Sequence, residues 1–308
     1  MEEKHFTPVR TQIGILKGRG MKIKNTRFAK RILLDTNYYN LINGYKTPFL
    51  TTTTREHYLP GTSFEELYYL SEFDRKLRIL TLEYILKIEK SIKTKISYCF
   101  SNEYGHKDYL SYSNFECNSP KKFKHISRLL SSLYGKIYNN IDKEDSISHY
   151  VHGKNYIPLW VLVNTLSFGD ISKFYTNMKQ KEQNEVAKRF KYGIRPDELS
   201  SSLNFLSSIR NRCAHDELLY NYLSHVTVLD NNYFRYFRYQ HINNKRNNYF
   251  SLMITFKRLL PKQDFANYYM ELNELFDDLD HQIHTISTNK IRNIMGFPNN
   301  WRRLITLN

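Results

Sequence analysis

Arg210, Asn211 and His215 bring a permanent cation, an amide and a proton carrier together near the end of a run that reads as buried helix. A guanidinium stays charged and its planar fork suits a phosphate. An imidazole gives and takes protons near neutral pH. Together they are a minimal kit for breaking an RNA strand without a metal. One histidine deprotonates a ribose 2′-hydroxyl, a second protonates the leaving 5′-oxygen, and arginine stabilises charge on the phosphorane-like transition state. On an ideal helix Arg210 and His215 stand about 140° apart, whereas Asn211 and His215, at i and i+4, share a face with Arg212 close by. One copy is a thin site. Two copies facing each other across a two-fold axis would supply two histidines and two arginines around one phosphate, so a homodimer is expected. The competing account is structural: Arg210 and Arg212 pair with acids such as Asp216 and Glu217, and His215 caps a helix end.

Pro196 opens the helix carrying these residues, with Leu199, Leu203, Leu206 and Ile209 as its apolar stripe. The strongest helical signal lies earlier. Ser63 followed by Glu66 is a capping box, and Leu67, Leu70, Phe73, Leu77, Leu80 and Tyr84, then Ile85, Ile88 and Ile92, predict a long scaffold helix over 64–99. Thr7-Pro8 reads as an N-cap and first-turn proline for a helix closing near Gly18-Arg19-Gly20. A second helix is predicted over 27–42, stopping at Asn43-Gly44, and residues 47–60, with consecutive threonines from Thr51, suit a short hairpin or loop. Ser119-Pro120 opens another helix, with Phe123, Ile126, Leu129, Leu130 and Leu133 inward and Lys121, Lys122, Lys124 and Arg128 outward. Pro158 starts a helix over 159–166, and Gly169 and Asp170 separate it from one over 171–178. The basic, aromatic stretch 233–248 reads as a loop or weak hairpin, followed by helices over 249–260 and 262–287 and a basic tail. With no repeat and no Pro/Gly/Ser-rich linker, the expected fold is all-α. It is a helical bundle with a long scaffold helix and at most a small β-hairpin insertion, in one domain over 1–308. Within it, 1–60 are N-terminal helices and hairpin, 61–225 the core, and 226–308 the basic loop and C-terminal helices.

The 308 residues carry a formal charge of +16, which attracts polyanions, nucleic acid foremost. A lysine-rich composition also tracks genome base composition. Beside Arg212, candidate RNA contacts are Arg235, Arg238, Lys245 and Arg246, interleaved with Tyr236, Phe237 and Tyr239, whose rings suit base stacking. Arg10, Lys17 and Arg19, with Lys22 and Lys24, form a second basic cluster. Cys99, Cys117 and Cys213 are widely spaced and form no CxxC pair, so neither a zinc knuckle nor a disulfide framework is supported. His149 with His152, and His281 with His284 near Asp277, Asp278 and Asp280, lack an evident third converging ligand, and no metal or other cofactor is expected. Asp74, Arg75 and Arg78 read as structural, pairing along the long helix or bracing the motif helix. The first residues lack the apolar core of a signal peptide. The longest apolar run, 157–163, falls far short of the roughly 20 residues of a membrane span, so a cytoplasmic protein without a membrane partner is expected.

The run Arg210-Asn211-Arg212-Cys213-Ala214-His215-Asp216-Glu217-Leu218-Leu219-Tyr220-Asn221 resembles the signature of bacterial abortive-infection (Abi) proteins of the AbiD/AbiF type, in the HEPN superfamily, whose shared mark is R-x4–6-H. Further blocks are similar to the same family in order: Asn37-Tyr38-Tyr39, Gly44-Tyr45 and Pro48-Phe49; Phe64-Glu65-Glu66-Leu67; Phe73-Asp74-Arg75-Lys76-Leu77-Arg78; Ile88-Glu89-Lys90-Ser91-Ile92-Lys93; and Trp160 with Leu166-Ser167-Phe168-Gly169-Asp170-Ile171-Ser172. The resemblance runs from about residue 8 to 225. It implies an all-α HEPN ribonuclease fold with Arg210 and His215 at the catalytic positions and Asn211 at the polar one. It also implies a toxin role in phage defence, with RNA as substrate and a small structured noncoding RNA as possible regulator. The sequence departs from the pattern in having Asn164 where an acid is expected. Glu217 stands where related toxins have a modified tyrosine, so regulation by adenylylation is not implied.

Overall fold

A computed structural model describes residues 5–52, 56–190, 193–238 and 245–307. Its axis is set by the capping box read from the sequence. The Ser63 hydroxyl accepts from the Glu66 backbone N–H and the Glu66 carboxylate accepts from Ser63 N–H, opening a helix of 41 residues, Phe64–Tyr104. At 1.5 Å per residue that is about 62 Å of rod. It ends at Gly105, whose φ of +86° is left-handed backbone that a side chain would strain.

Around this rod, α3, the chain winds as α1 (Val9–Gly18), α2 (Thr26–Asp35), α4 (Pro120–Asn140), α5 (Asp145–Lys154), α6 (Leu159–Leu162), α7 (Phe168–Asn177), α8 (Gln180–Lys188), α9 (Pro196–Ala214), α10 (Asn232–Tyr236), α11 (Tyr249–Leu259), α12 (Lys262–Gln282) and α13 (Thr288–Ile294). Leu67, Leu70, Leu77, Ile85, Ile88 and Ile92 are buried in one contiguous apolar cluster with the Leu199–Ile209 stripe of α9. The architecture is all-α. Among the described residues there is no strand, only isolated bridges such as the antiparallel Leu50–Tyr58 pair within the 47–60 segment, of which Thr53 and Thr54 lie outside the described residues. Among the described residues no helix is long and apolar enough to cross a membrane.

Several boundaries differ from the sequence reading, each for a local reason. Thr7 does not cap α1; Pro8 itself holds the N-cap position. The helix expected over 27–42 stops at Asp35. Thr36 turns extended, and the Asn37 side chain accepts from Tyr39 N–H, starting a separate wide turn, Tyr39–Asn43. Asn competes with a helix in this way by offering the backbone a side-chain partner. Gly169 and Asp170 do not separate helices but lie in the first turn of α7, where Ser167 and Asp170 form a second capping box. Phe123, expected inward, is 50 % exposed and stacks on Tyr112. Asn231 caps the short α10 inside the stretch read as a loop, and the 262–287 helix ends at Gln282 before a new one, α13. The polar α5 and α8 carry too few apolar residues to announce themselves.

The largest partner of α3 is α12, running antiparallel to it. Phe73 meets Phe276, Tyr84 meets Tyr268 and donates to Glu271, and Lys87 pairs with Asp264. Glu66 closes the far end by accepting from the backbone N–H of His284 and Thr285, both at 2.7 Å, and from the Thr285 hydroxyl. Burial alone would lift its carboxyl. The amides of Thr285, His284 and Ser63, with the Thr285 hydroxyl, outweigh burial and hold it below the ordinary glutamate range. A depressed folded-state pKa contributes stability that is present above the unfolded value, about 4.3, and lost as pH falls through the folded one. Glu66→Gln is therefore expected to cost about 1–3 kcal/mol at pH 7, and the gap to wild type to shrink as pH drops below about 4, measured by urea unfolding at a series of pH values.

Candidate active site

The last turn of α9 decides where the motif residues point. His215 is the C-cap, and Asp216 follows in left-handed backbone at φ +55°. Glu217 N–H returns to the Arg212 carbonyl and Asp216 N–H to that of Cys213, which is a Schellman ending built without glycine. Asp tolerates this region better than most residues because its short side chain finds local partners; here the partner is Arg78. The Arg212–Glu217 ion pair, at 2.8 Å, stands where a Schellman motif usually carries an apolar contact. The chain thus reverses directly after His215 and leaves that ring exposed at the helix end.

What holds the reversed segment is Asp74 on α3. Its fully buried carboxylate accepts from Arg78 Nη1 at 2.7 Å, Tyr220 N–H at 2.7 Å, Leu219 N–H at 3.2 Å and the Tyr45 hydroxyl at 2.9 Å. Arg78, also buried, spans from Asp74 to Asp216. Burial and the Asp74 charge push the Tyr45 and Tyr220 phenols up, so both stay protonated donors. Tyr220 stacks on Tyr45 and donates to the Gly44 carbonyl. Gly44 lies close against Leu218: a Cβ there would lie 3.1 Å from Leu218 Cδ2, and that side chain would have to shift by a few tenths of an ångström.

These contacts frame a groove of about 590 Å³. One wall is the wide turn Tyr39–Asn43 with Gly44 and Tyr45, the floor is Tyr68, Arg75 and Arg78 of α3, and the other wall is Arg212, His215, Asp216 and Leu218. Three guanidinium groups and one imidazole therefore face one space, together with the carboxylates Glu72, Asp216 and Glu217, each paired with one of the three arginines. Arg75 is exposed on the rim and pairs with Glu72 at 2.9 Å, and Arg78 braces the wall, in line with the structural role read for Asp74, Arg75 and Arg78. Arg212 is tied down: its Nε donates to the Leu218 carbonyl, and its guanidinium lies 3.9 Å over the Tyr222 ring. Arg210 and Asn211 do not line this groove. Asn211 is exposed, its carbonyl accepting from His215 N–H, while Arg210 is half-buried with an Nε that has no hydrogen-bond partner among the described residues. Cys213, inside the motif, is buried, which pushes its thiol up to about 12 and leaves it protonated and inert at neutral pH.

The other candidate contacts sit elsewhere on the molecule. Arg10 and Lys17 are exposed on α1, and Arg19 pairs with Glu56. Arg235 pairs with Asp230 at 2.7 Å, Arg246 donates to the Val228 carbonyl, Arg238 and Lys245 are exposed, and Tyr239 lies outside the described residues. None of these lines the groove. Among the described residues no three His, Cys, Asp or Glu side chains converge as a metal site would need. The sequence reading did not foresee Tyr39, Gly44, Tyr45 and Tyr68 as groove walls, and only their place in the family-like blocks marked the first three. Asp74→Asn keeps the shape but removes the charge that offsets Arg78, and is expected to cost about 3–5 kcal/mol. Thermal unfolding checks the loss, and faster hydrogen exchange at the Leu219 and Tyr220 amides checks its location.

A family model described as Abi-like protein matches residues 31–221, the span that contains both groove walls and α9. No curated protein and no solved structure matches the chain. Since the matched span is well over half of the 308 residues, the chain belongs to the Abi-like protein family.

Proposed function

We propose that this chain is a metal-independent endoribonuclease of the HEPN type, acting as a toxin in the abortive-infection phage defence that its family membership supports. The observation that carries the reading is His215, exposed at the C-terminal end of α9 and opening into a groove lined by Arg75, Arg78 and Arg212. In the proposed step the His215 imidazole takes the proton of a ribose 2′-hydroxyl, and the 2′-oxygen attacks the adjacent phosphorus. The P–O5′ bond breaks and the leaving oxygen is protonated by a second acid. The products are a 2′,3′-cyclic phosphate and a 5′-hydroxyl. Guanidinium charge facing the groove stabilises the transition state.

The second acid is the same histidine of a second copy. Ile79, 58 % exposed beside Arg78, supports an isologous pairing at this end of the molecule, where Arg210 lies outside its own groove. A formal charge of +16 supports RNA as a ligand, and a small structured noncoding RNA as regulator is what the resemblance to the AbiD/AbiF type implies. A reading without cleavage has one observation in its favour: Arg212 is already occupied by Glu217, Leu218 and Tyr222, so the motif also serves to hold the loop.

Purified protein incubated with mixed RNA in EDTA is expected to generate cyclic-phosphate ends. His215→Ala is expected to lower the rate about 10²–10⁴-fold, and Arg210→Ala about 10²–10³-fold. Cleavage that persists in His215→Ala, or that needs a divalent ion, refutes the reading. Sedimentation equilibrium is expected to give a dimer, and Ile79→Glu a monomer of low activity.

A further inference from the structure

We infer that the solvent face of α4 is a platform for a single strand of RNA, separate from the groove that holds His215. The 21 residues of α4 include Lys121, Lys122, Lys124, Arg128 and Lys136 and no aspartate or glutamate. Like charges three and four apart destabilise a helix, so the helix itself gains nothing from them. Lys122 donates to the Thr176 carbonyl and Lys136 lies 3.8 Å from Asp170. Lys121, Lys124 and Arg128 are exposed and have no ion-pair partner among the described residues.

Aromatic rings stand beside these cations. Phe123, Tyr134 and Tyr138 are 50 %, 55 % and 79 % exposed. Tyr112 lies flat against Phe123, with ring centres 4.8 Å apart and planes 12° from parallel. At 100° per residue the three rings of α4 occupy a strip about 60° wide, and Lys121, Lys124 and Arg128 a second strip beside it. The surface along the first half of the helix, formed by Phe123, Lys124, Ser127 and Arg128 among others, is open and nearly flat. A row of flat rings beside a row of cations matches a strand whose bases are unstacked and whose phosphates run alongside. A duplex would offer its phosphates but hide its base faces. A membrane surface would call for the apolar face of the helix, but Ile126, Leu129, Leu130 and Leu133 are buried in the core.

The choice of RNA over other single strands rests on the ribonuclease reading, and the platform would hold a substrate or regulatory RNA that reaches beyond the groove. The test uses the full chain carrying His215→Ala, so that the probe survives, and the anisotropy of a fluorescein-labelled oligouridylate. Adding Phe123→Ala or Tyr138→Ala is expected to weaken binding about tenfold each. Lys124→Glu with Arg128→Glu is expected to weaken it at least as much and to reduce the slope of log K against log salt by roughly 1.4. A control with the same charge change elsewhere, Lys30→Glu with Lys90→Glu, is expected to bind within twofold of the parent. All sites changed are exposed, and thermal unfolding verifies folding. The platform is overturned if the α4 variants bind like the parent, or if the control loses as much. It is overturned equally if phosphatidylserine vesicles are bound through α4 and the oligouridylate is not. Wild type that fails to cut RNA while α4-dependent binding persists refutes the nuclease reading alone; cleavage by wild type together with α4 variants that bind the oligouridylate like the parent refutes the platform alone.

Discussion

One buried carboxylate, Asp74, holds the functional end of this molecule together. Taking an aspartate and an arginine out of water costs several kcal/mol per ion, and that cost is offset only when every lone pair and proton finds a partner. Asp74 meets the condition with donors from three parts of the chain: Arg78 one turn along its own helix, Tyr45 from the N-terminal segment, and the backbone of Leu219 and Tyr220. Arg78 then carries the connection to Asp216, the residue next to His215. The imidazole is therefore placed by a chain of charge-assisted hydrogen bonds that begins in the core and ends at the surface.

The same network explains why scattered pieces of sequence form one site. Asn37 starts the turn that makes one wall, Gly44 admits Leu218, Tyr45 stacks on Tyr220, and Asp74, Arg75 and Arg78 lie beneath. The scaffold beneath is stiff because α3 is gripped twice, by α12 along its length and by Glu66 at its start. A second buried ion pair, Glu198 with Arg258, fixes the first turn of α9 to α11, with Asn231 donating to the same carboxylate. The motif helix is thus held at both ends by carboxylates the solvent does not reach, and Arg212 and His215 at its C-terminal end line the groove.

Much of this was legible in the chain before folding. The capping box, the apolar stripes of α3 and α9, and the prolines at the starts of α4 and α9 are local signals, and each produced the element it announces. The failures were also local in origin. Asn37 drew the backbone out of a helix that the hydrophobic pattern would have continued, and two polar helices lacked a stripe to read. Among the candidate basic residues, those of the C-terminal segment proved to be partly engaged: Arg235 with Asp230, and Arg246 with a backbone carbonyl. Lys121, Lys124 and Arg128 of α4 kept their outward place, whereas Lys122 is half-buried against the Thr176 carbonyl and Phe123 moved to the surface.

By itself the sequence determined the all-α class, the long scaffold, the helix that carries Arg210 and His215, and, through ordered blocks, the family. Those follow from periodicity and caps, which act over a few residues. Only the tertiary structure decided that His215 opens into a groove with Arg75, Arg78 and Arg212 while Arg210 lies outside it. That outcome depends on a left-handed Asp216 and on bonds linking residues more than a hundred positions apart, and no local pattern encodes where such distant groups will meet.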